Sequence, residues 1–351
     1  MTRFFSEKLK DLVPYTPGEQ PKDIPELIKL NTNESPFPPS PLVIEAISKP
    51  EISRLRLYSD PQCKPLVKAL AESHGVNENQ VFIGNGSDEV LAFIFHGLCG
   101  NGAIYADITY GFYSVFSDMF SVKSVVVPLL EDFSIDTDDY EGIKGTVLIA
   151  NPNAPTGLCL PLEDIRKLLL QDRDRLVVVD EAYIDFGGDS ALSLLPEFDN
   201  LLIVRTFSKS RSLAGARIGY AIGSVELIGD INALKFSFNP YNVNHLSMMA
   251  GVASVKDAEY FKSCCEKTIE GRAYITKELK ACGFKVLDSK TNFVFAGDNP
   301  KISGYDYFQK LRENGILVRH FNSPRTSGYV RMTIGTMEQM RRVVYVTKGV
   351  L

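Results

Sequence analysis

Three strongly apolar runs in the middle of the chain each end in a cluster of polar residues, and this pattern constrains the fold most. The runs occupy residues 146–150, 176–179 and 201–204. Short β-branched runs without polar alternation are typical of strands that are buried on both faces of a parallel sheet. Helical patterns separate the runs, which indicates an α/β fold. Because open α/β sheets bind ligands at the carboxyl ends of their strands, the polar clusters form the candidate site.

The second and third runs are followed by the residue types that a pyridoxal phosphate enzyme needs. The residues are Asp180 and Tyr183 after the second run, and Thr206, Ser208, Lys209 and Arg217 after the third. Pyridoxal phosphate requires a lysine for its Schiff base, an acid against its pyridine nitrogen and donors for its phosphate. Lys209 supplies the amine and Asp180 the acid. The Arg217 fork and the two hydroxyls suit the phosphate, so the sequence predicts this cofactor.

The order and spacing of these motifs resemble the class I/II aminotransferases of the pyridoxal phosphate (PLP) fold type I, over the whole chain. The matching motifs are Asn-Pro-Asn-Ala-Pro-Thr-Gly at 151–157, Asp-Glu-Ala-Tyr at 180–183, and Ser-Lys at 208–209 with Arg217. The resemblance implies an α/β fold with a large, mainly parallel sheet domain and a smaller α+β domain. It divides the chain into an N-terminal arm (1–40) that joins the small domain, a large PLP-binding domain (41–250) and a small C-terminal domain (251–351).

Within this family the chain is most similar to the histidinol-phosphate branch. The segments that carry this similarity are 14–21, 29–36, 58–62, 84–89, 291–293 and 329–335. The similarity implies amino-group transfer between L-histidinol phosphate and 2-oxoglutarate, with glutamate as a product, in histidine biosynthesis. It also implies that Lys209, Asp180 and Tyr183 are the catalytic residues.

The resemblance also implies further contacts to the cofactor. Gly86, Ser87 and Asp88 would hold the phosphate, mostly through backbone N–H groups at a helix N-terminus. Tyr110 would stack on the pyridine ring, and Tyr183 would donate to the ring hydroxyl. A final contact would come from Tyr58, which reaches the phosphate of the neighbouring subunit in the family. That contact implies an obligate homodimer with shared active sites.

Four residues are candidates for binding the substrate. Arg331 matches the arginine that grips the substrate anion, and Arg319 and Tyr15 match positions that assist when the anion is a phosphate. Asn33 belongs to one of the matching segments and completes the set. Arginine forks suit phosphate because they bind it with two hydrogen bonds at once.

Ala154 departs from the family pattern, which has asparagine immediately before Pro155-Thr-Gly. That asparagine hydrogen-bonds the ring hydroxyl of the cofactor in most relatives. Asn153 or Asn151 takes over this role, or Tyr183 carries it alone; of these we favour Asn153.

Charge and composition exclude several classes of partner. The net charge of −5 and the absence of a basic cluster argue against nucleic acid. There is no run of ~20 apolar residues and no signal peptide, so we expect a cytoplasmic protein without a membrane partner. The six cysteines lack Cys-x-x-Cys spacing and the four histidines are scattered, which predicts reduced thiols and no metal site.

Three other functions fit parts of the same pattern. An aromatic or other amino-acid aminotransferase would use Arg331 to hold a carboxylate. A threonine-phosphate decarboxylase also binds a phosphorylated amine but needs no 2-oxoglutarate. A PLP-sensing regulator would carry a DNA-binding module ahead of the domain, whereas the matching motif here begins near Tyr15.

Overall fold

The computed structural model describes residues 6–9, 12–20 and 27–351, so parts of the predicted N-terminal arm (1–5, 10–11 and 21–26) lie outside the described residues. The helices are α1 Pro41–Ala46, α2 Lys49–Ser53, α3 Lys64–His74, α4 Ser87–Gly97, α5 Phe112–Phe120, α6 Leu162–Gln171, α7 Val225–Phe238, α8 His245–Lys256, α9 Ala258–Ala281, α10 Gly304–Glu313 and α11 Met337–Val350. The strands are β1 Ile28–Lys29, β2 Val81–Gly84, β3 Ala103–Ala106, β4 Ser124–Val127, β5 Thr146–Ala150, β6 Val177–Asp180, β7 Leu201–Thr206, β8 Gly219–Gly223, β9 Lys285–Val286, β10 Phe293–Gly297, β11 Ile316–Leu317, β12 Arg319–His320 and β13 Tyr329–Thr333.

A seven-stranded sheet in the order β2-β8-β7-β6-β5-β3-β4 forms the centre of the larger unit. β8 runs antiparallel to both of its neighbours, and every other adjacent pair in this sheet is parallel. The predicted α/β fold with a mainly parallel sheet is therefore confirmed. The three apolar runs that suggested it are β5, β6 and β7, which lie side by side.

The central strands are apolar along their whole length because helices cover both faces of the sheet. In β6, Val178 packs in one core cluster with Val90 of α4, whereas Val177 and Val179 pack in another with Ile165 of α6. Successive strand residues point to opposite faces, so both faces need apolar side chains. Each fully buried valine stabilises the fold by roughly 1.5–3 kcal/mol relative to exposure.

A four-stranded antiparallel sheet, β12-β13-β10-β9, forms the second unit with α9, α10 and α11. Its core includes Ile275 of α9, Leu311 of α10 and Met340 of α11. Leu30, from the beginning of the chain, packs in the same cluster. β1 pairs in parallel with β11, so residues 28–29 are hydrogen-bonded to the C-terminal part of the chain.

Helix α8 crosses position 250, where the sequence suggested a boundary between domains. α8 packs against α1 and α3 of the larger unit and is followed directly by α9. The division into 1–40, 41–250 and 251–351 stays a prediction. In the part of the chain that the structure describes, no helix combines the length and the apolar composition needed to cross a membrane.

Candidate active site

Two adjoining cavities open at the carboxyl ends of the parallel strands. The first has a volume of about 360 Å³ and the second about 510 Å³. Their shared walls are formed by Thr32, Tyr110, Ala154, Tyr183 and Lys209. β5, β6 and β7 run in the same direction, so the polar residues that follow them meet at this edge, as the sequence predicted.

Lys209 lies in the turn that follows β7 and lines both cavities. The turn is shaped by Thr206, the last residue of β7, whose side-chain oxygen accepts a hydrogen bond from the backbone N–H of Ser208 at 3.1 Å. The Lys209 Nζ lies 5.7 Å from the centre of the Tyr183 ring. The amine and the phenol therefore face the same space.

Asp180 ends β6 and presents a buried carboxylate to the first cavity. The carboxylate accepts hydrogen bonds from the Tyr113 hydroxyl and from the Ala182 backbone N–H, both at 3.2 Å. Burial raises the pKa of Asp180 to about 6. No cation among the described residues forms a salt bridge with Asp180, and a buried, unpaired carboxylate that faces a cavity suits a protonated ring nitrogen.

The opposite end of the first cavity is built to hold an anion. Ser87 and Asp88 lie in the first turn of α4, where free backbone N–H groups and the helix dipole attract negative charge. Arg217 donates to the Ser208 hydroxyl and to the Asp88 carboxylate, each at 3.2 Å. Gly86, just before the helix, has φ +83° and leaves room for the Arg217 guanidinium.

Tyr110 forms part of the wall between the two cavities and is fixed by Asp88. Its hydroxyl donates to the Asp88 carboxylate at 2.6 Å, and burial together with that carboxylate raises the pKa of Tyr110. The Asp88 carboxylate is thus occupied by Tyr110 and Arg217. The contact of Asp88 with the cofactor phosphate through its backbone N–H stays a prediction.

The second cavity contains two arginines that lie directly opposite each other on neighbouring strands. Arg319 of β12 pairs with Arg331 of β13 in the strand register, and both line the cavity. Within the described part of the chain, neither forms a salt bridge to a carboxylate. Like charges in this position repel each other. Burial also lowers the pKa of Arg331. The pair therefore creates a site that favours an anion.

Tyr15 and Asn33 lie in the same cavity as the two arginines. The Tyr15 ring packs on Phe112 of α5, with 4.4 Å between the ring centres. Asn33 is buried and donates through its side chain to the Tyr183 hydroxyl. The structure thus brings all four predicted substrate residues together beside Lys209.

Residues 25–346 match the family described as aminotransferase class I and II. The chain belongs to this family. A histidinol-phosphate aminotransferase of Brachyspira hyodysenteriae is 48% identical to it, over 99% of this chain and 100% of the relative. Another, from Clostridium acetobutylicum, is 48% identical over 97% of each chain. The crystal structure of histidinol-phosphate aminotransferase from Sinorhizobium meliloti in complex with pyridoxal-5'-phosphate has a TM-score of 0.85 at 24% identity, covering 100% of this chain and 99% of that one.

The cofactor of this aminotransferase is pyridoxal phosphate, and the first cavity fits it. The fit rests on the buried Asp180 carboxylate at one end, the Arg217 cradle at the other and Lys209 on the wall between them. Because Gly86 has no Cβ, the Arg217 guanidinium can approach the N-terminus of α4. Among the residues that the structure describes, no group of three or more His, Cys, Asp and Glu side chains is arranged to hold a metal ion.

Asn153 does not reach the cofactor cavity, contrary to our expectation that it would replace the asparagine missing at Ala154. Its side-chain N–H groups donate to the Ile108 carbonyl and to Thr156, and its oxygen accepts from Thr109 at 2.8 Å. The amide is thus fully used in joining its turn to the loop that follows β3. Asn151 is turned inward as well, because its amide exchanges hydrogen bonds with the backbone of Leu160. Of the options we considered, only Tyr183 lies at the cavity.

Tyr58 lies outside both cavities of its own chain. It is 84% exposed, and its ring stacks on Tyr241 with 4.5 Å between the ring centres. Its predicted contact with the phosphate of a neighbouring subunit stays a prediction.

Tyr113 is a site residue that we did not predict from the sequence. It is fully buried in α5, and its hydroxyl donates to Asp180. The only signal was closeness in sequence, because Tyr113 follows the predicted site residue Tyr110 by three residues. Without the sheet in place, however, nothing in the sequence connects α5 to the end of β6.

Proposed function

We propose that this aminotransferase transfers the amino group of L-histidinol phosphate to 2-oxoglutarate, forming glutamate, in histidine biosynthesis. The observation that carries the proposal is the pair Arg319 and Arg331, which face a cavity beside Lys209 without a carboxylate partner in the described chain. A phosphate ester carries up to two negative charges and suits two guanidinium groups. The names of the relatives at 48% identity support the same substrate.

Each catalytic residue has a distinct task in this proposal. Bound pyridoxal phosphate supplies an electron sink for the Cα–H bond of the substrate. Lys209 holds the cofactor between turnovers, and its amine, once free, accepts the proton from the substrate Cα. The Asp180 carboxylate keeps the ring nitrogen protonated, and Tyr183 donates to the ring hydroxyl. Because one substrate must leave before the other binds, the kinetics should be ping-pong.

The phosphate of the substrate would lie between the two arginines, with Tyr15 beside it. Its imidazole would then lie among the remaining walls of the second cavity, and its amine would face Lys209. This placement uses both cavities, one for the cofactor and one for the substrate.

The experiment that tests this function is a spectral titration of the purified protein with L-histidinol phosphate and, separately, with L-phenylalanine. We expect the visible band of the lysine-bound cofactor to disappear at low histidinol phosphate and only at high phenylalanine. The reverse order would make the enzyme an aromatic aminotransferase. Lys209→Ala is the control, because it cannot form the lysine-bound band.

A second assay separates the remaining alternative. Product formation from a phosphorylated amine should stop when 2-oxoglutarate is left out. Turnover that continues without 2-oxoglutarate and releases carbon dioxide from threonine phosphate would instead identify a decarboxylase.

The proposal includes a cytoplasmic homodimer with shared active sites. Support for the dimer comes from exposed aliphatic side chains concentrated in one short stretch: Leu42, Ile44, Ile47, Ile52, Leu55 and Leu57. Exposed apolar surface of this kind is typical of a protein interface. All six cysteines are free thiols, which agrees with a reducing compartment.

A further inference from the structure

We infer that Asn33 is a positioning residue that directs the hydroxyl proton of Tyr183 towards the cofactor, an inference that rests on the proposed function. The Asn33 Nδ2 donates to the Tyr183 hydroxyl oxygen at 2.9 Å, and Asn33 is only 2% exposed. A phenol oxygen that accepts this bond keeps its own proton free to donate. In the described chain no group accepts that proton, and Tyr183 lines both cavities.

The orientation of the Asn33 amide is fixed by Thr333, at the end of β13. The Thr333 hydroxyl accepts from the Asn33 backbone N–H at 3.0 Å and donates to Asn33 Oδ1, also at 3.0 Å. With its oxygen held there, the amide must turn its nitrogen towards Tyr183. Asn292 adds a hydrogen bond to the Asn33 backbone carbonyl at 3.0 Å. The Asn33 side chain therefore has a single orientation, in which it serves Tyr183 as a donor.

Ala154 makes the direction of the Tyr183 proton more important in this chain. Ala154 is buried at the wall of the first cavity and has no polar group to offer the ring hydroxyl. The amide of its neighbour Asn153 is occupied by Ile108, Thr109 and Thr156. Tyr183 thus carries alone a contact that is shared between two side chains in most of the family. Its orientation then depends on Asn33.

The expected effect is on the proton of the Schiff base between Lys209 and the cofactor. In the bound cofactor the ring hydroxyl oxygen would accept a hydrogen bond from that proton, and a hydrogen bond that Tyr183 donates to the same oxygen would weaken this hold. If Asn33 is lost, Tyr183 donates less well and the proton is held more tightly. We expect Asn33→Ala to raise the apparent pKa of the visible absorbance change by about half a unit, about threefold in the proton dissociation constant.

A double-mutant cycle read out by absorbance against pH separates this role from a general structural effect. The variants are Asn33→Ala and Tyr183→Phe, alone and combined. If Asn33 acts through Tyr183, the substitution Asn33→Ala raises the apparent pKa when Tyr183 is present. The same substitution has no effect on the pKa in the Tyr183→Phe background. Equal shifts in both backgrounds, or no shift in either, would overturn the inference.

Two further variants keep the test decisive if Asn33→Ala does not fold. Thr333→Val removes the group that fixes the amide, so it should shift the pKa in the same direction by a smaller amount. Ser35→Ala is the matched control, because Ser35 lies two residues after Asn33 and does not contact Tyr183. Its hydroxyl accepts a hydrogen bond from Ser212 at 2.8 Å. A shift with Ser35→Ala as large as that with Thr333→Val would also overturn the inference.

The same spectra distinguish failure of this inference from failure of the proposed function. A wild-type protein without a visible band binds no pyridoxal phosphate at Lys209, which would overturn both. A normal band whose pKa responds to Tyr183→Phe but not to Asn33→Ala or Thr333→Val would overturn only the role of Asn33.

Discussion

Gly86 and Arg217 approach each other so closely that a Cβ at position 86 would lie 2.4 Å from the Arg217 Nη2. The Gly86 backbone also has φ +83°, which side chains rarely adopt. The phosphate end of the cofactor cavity therefore depends on the absence of a single methyl group.

Gly86→Ala should weaken the binding of pyridoxal phosphate by displacing the Arg217 guanidinium. Loss of one charge-assisted hydrogen bond is worth about 1.5–3 kcal/mol, or roughly tenfold to a hundredfold in Kd. Titration of the apoprotein with the cofactor measures this directly. Gly75→Ala is the matched control, because Gly75 has φ +66° but nothing within 4 Å of the added Cβ. Equal losses in the two variants would show that backbone strain alone is responsible.

Asp180→Asn should stabilise the apoprotein, and the gain should increase with pH. The pKa of Asp180 is about 6 in the folded chain, above the 3.8 of an exposed aspartate. Folding therefore favours the protonated form, and burial costs stability only where the carboxylate would otherwise be ionised. The cost is small below pH ~4, grows between pH ~4 and 6, and levels off at about 3 kcal/mol.

The measurement is the free energy of unfolding of both apoproteins in denaturant at pH ~3.5 and pH ~8, on either side of the titration. Holoenzyme should show the opposite preference, because the ring nitrogen needs the carboxylate, so the variant should bind the cofactor more weakly. A stability difference that does not change with pH would contradict the raised pKa.

Arg331→Gln should lower kcat/KM for L-histidinol phosphate far more than for L-histidinol, which lacks the phosphate. Arg331 lies opposite Arg319 in the second cavity, where the phosphate would bind. The loss should be about tenfold to a hundredfold, corresponding to about 1.5–3 kcal/mol for a hydrogen bond between charged groups. Arg312→Gln, which only removes an exposed ion pair to Glu19, should leave kcat/KM unchanged for both substrates. Equal losses for the two substrates would show that Arg331 does not bind the phosphate.

Light scattering should give twice the 39.0 kDa of one chain. Leu55→Asp should then reduce the mass towards that of the monomer, because Leu55 is one of the exposed aliphatic side chains proposed to lie in the interface. A monomeric wild type that is fully active would contradict the shared active site.

Tyr58→Phe tests the contact across the proposed interface more closely. It should weaken cofactor binding in the dimer because it removes a hydroxyl from the phosphate of the partner's site. Tyr241→Phe is its control, since Tyr241 only stacks on Tyr58 and has no predicted contact with the cofactor. Equal affinities in the two variants would assign Tyr58 to the interface alone.

The parts of this protein that could be predicted from the sequence are those that depend on neighbouring residues. The strands β5, β6 and β7 were predicted to within two residues because burial on both faces leaves a continuous apolar run. The polar residues at their ends, Lys209 and Asp180 among them, then follow from the rule that parallel strands end at one edge.

The parts that could not be predicted depend on three-dimensional placement. The turn at 151–157 has two asparagines just before the missing contact, and only the structure shows that the Asn153 amide is used by the loop after β3 and by Thr156. The register that sets Arg319 against Arg331 is likewise a property of the folded sheet. The bond between Asn33 and Thr333 joins residues 300 positions apart, which no local pattern reveals.

That separation has a consequence for the order in which the protein is made. A ribosome delivers Asn33 300 residues before Thr333, so the hydrogen bonds that position the Asn33 amide against the Tyr183 hydroxyl cannot form until β13 has been made. Strands β6 and β7, which end at Asp180 and just before the Lys209 turn, can pair before that point, but the substrate side of the site waits for β13. The growing chain can therefore build its cofactor cradle while it still lacks the second cavity, and it gains a complete active site only after β13 has been made.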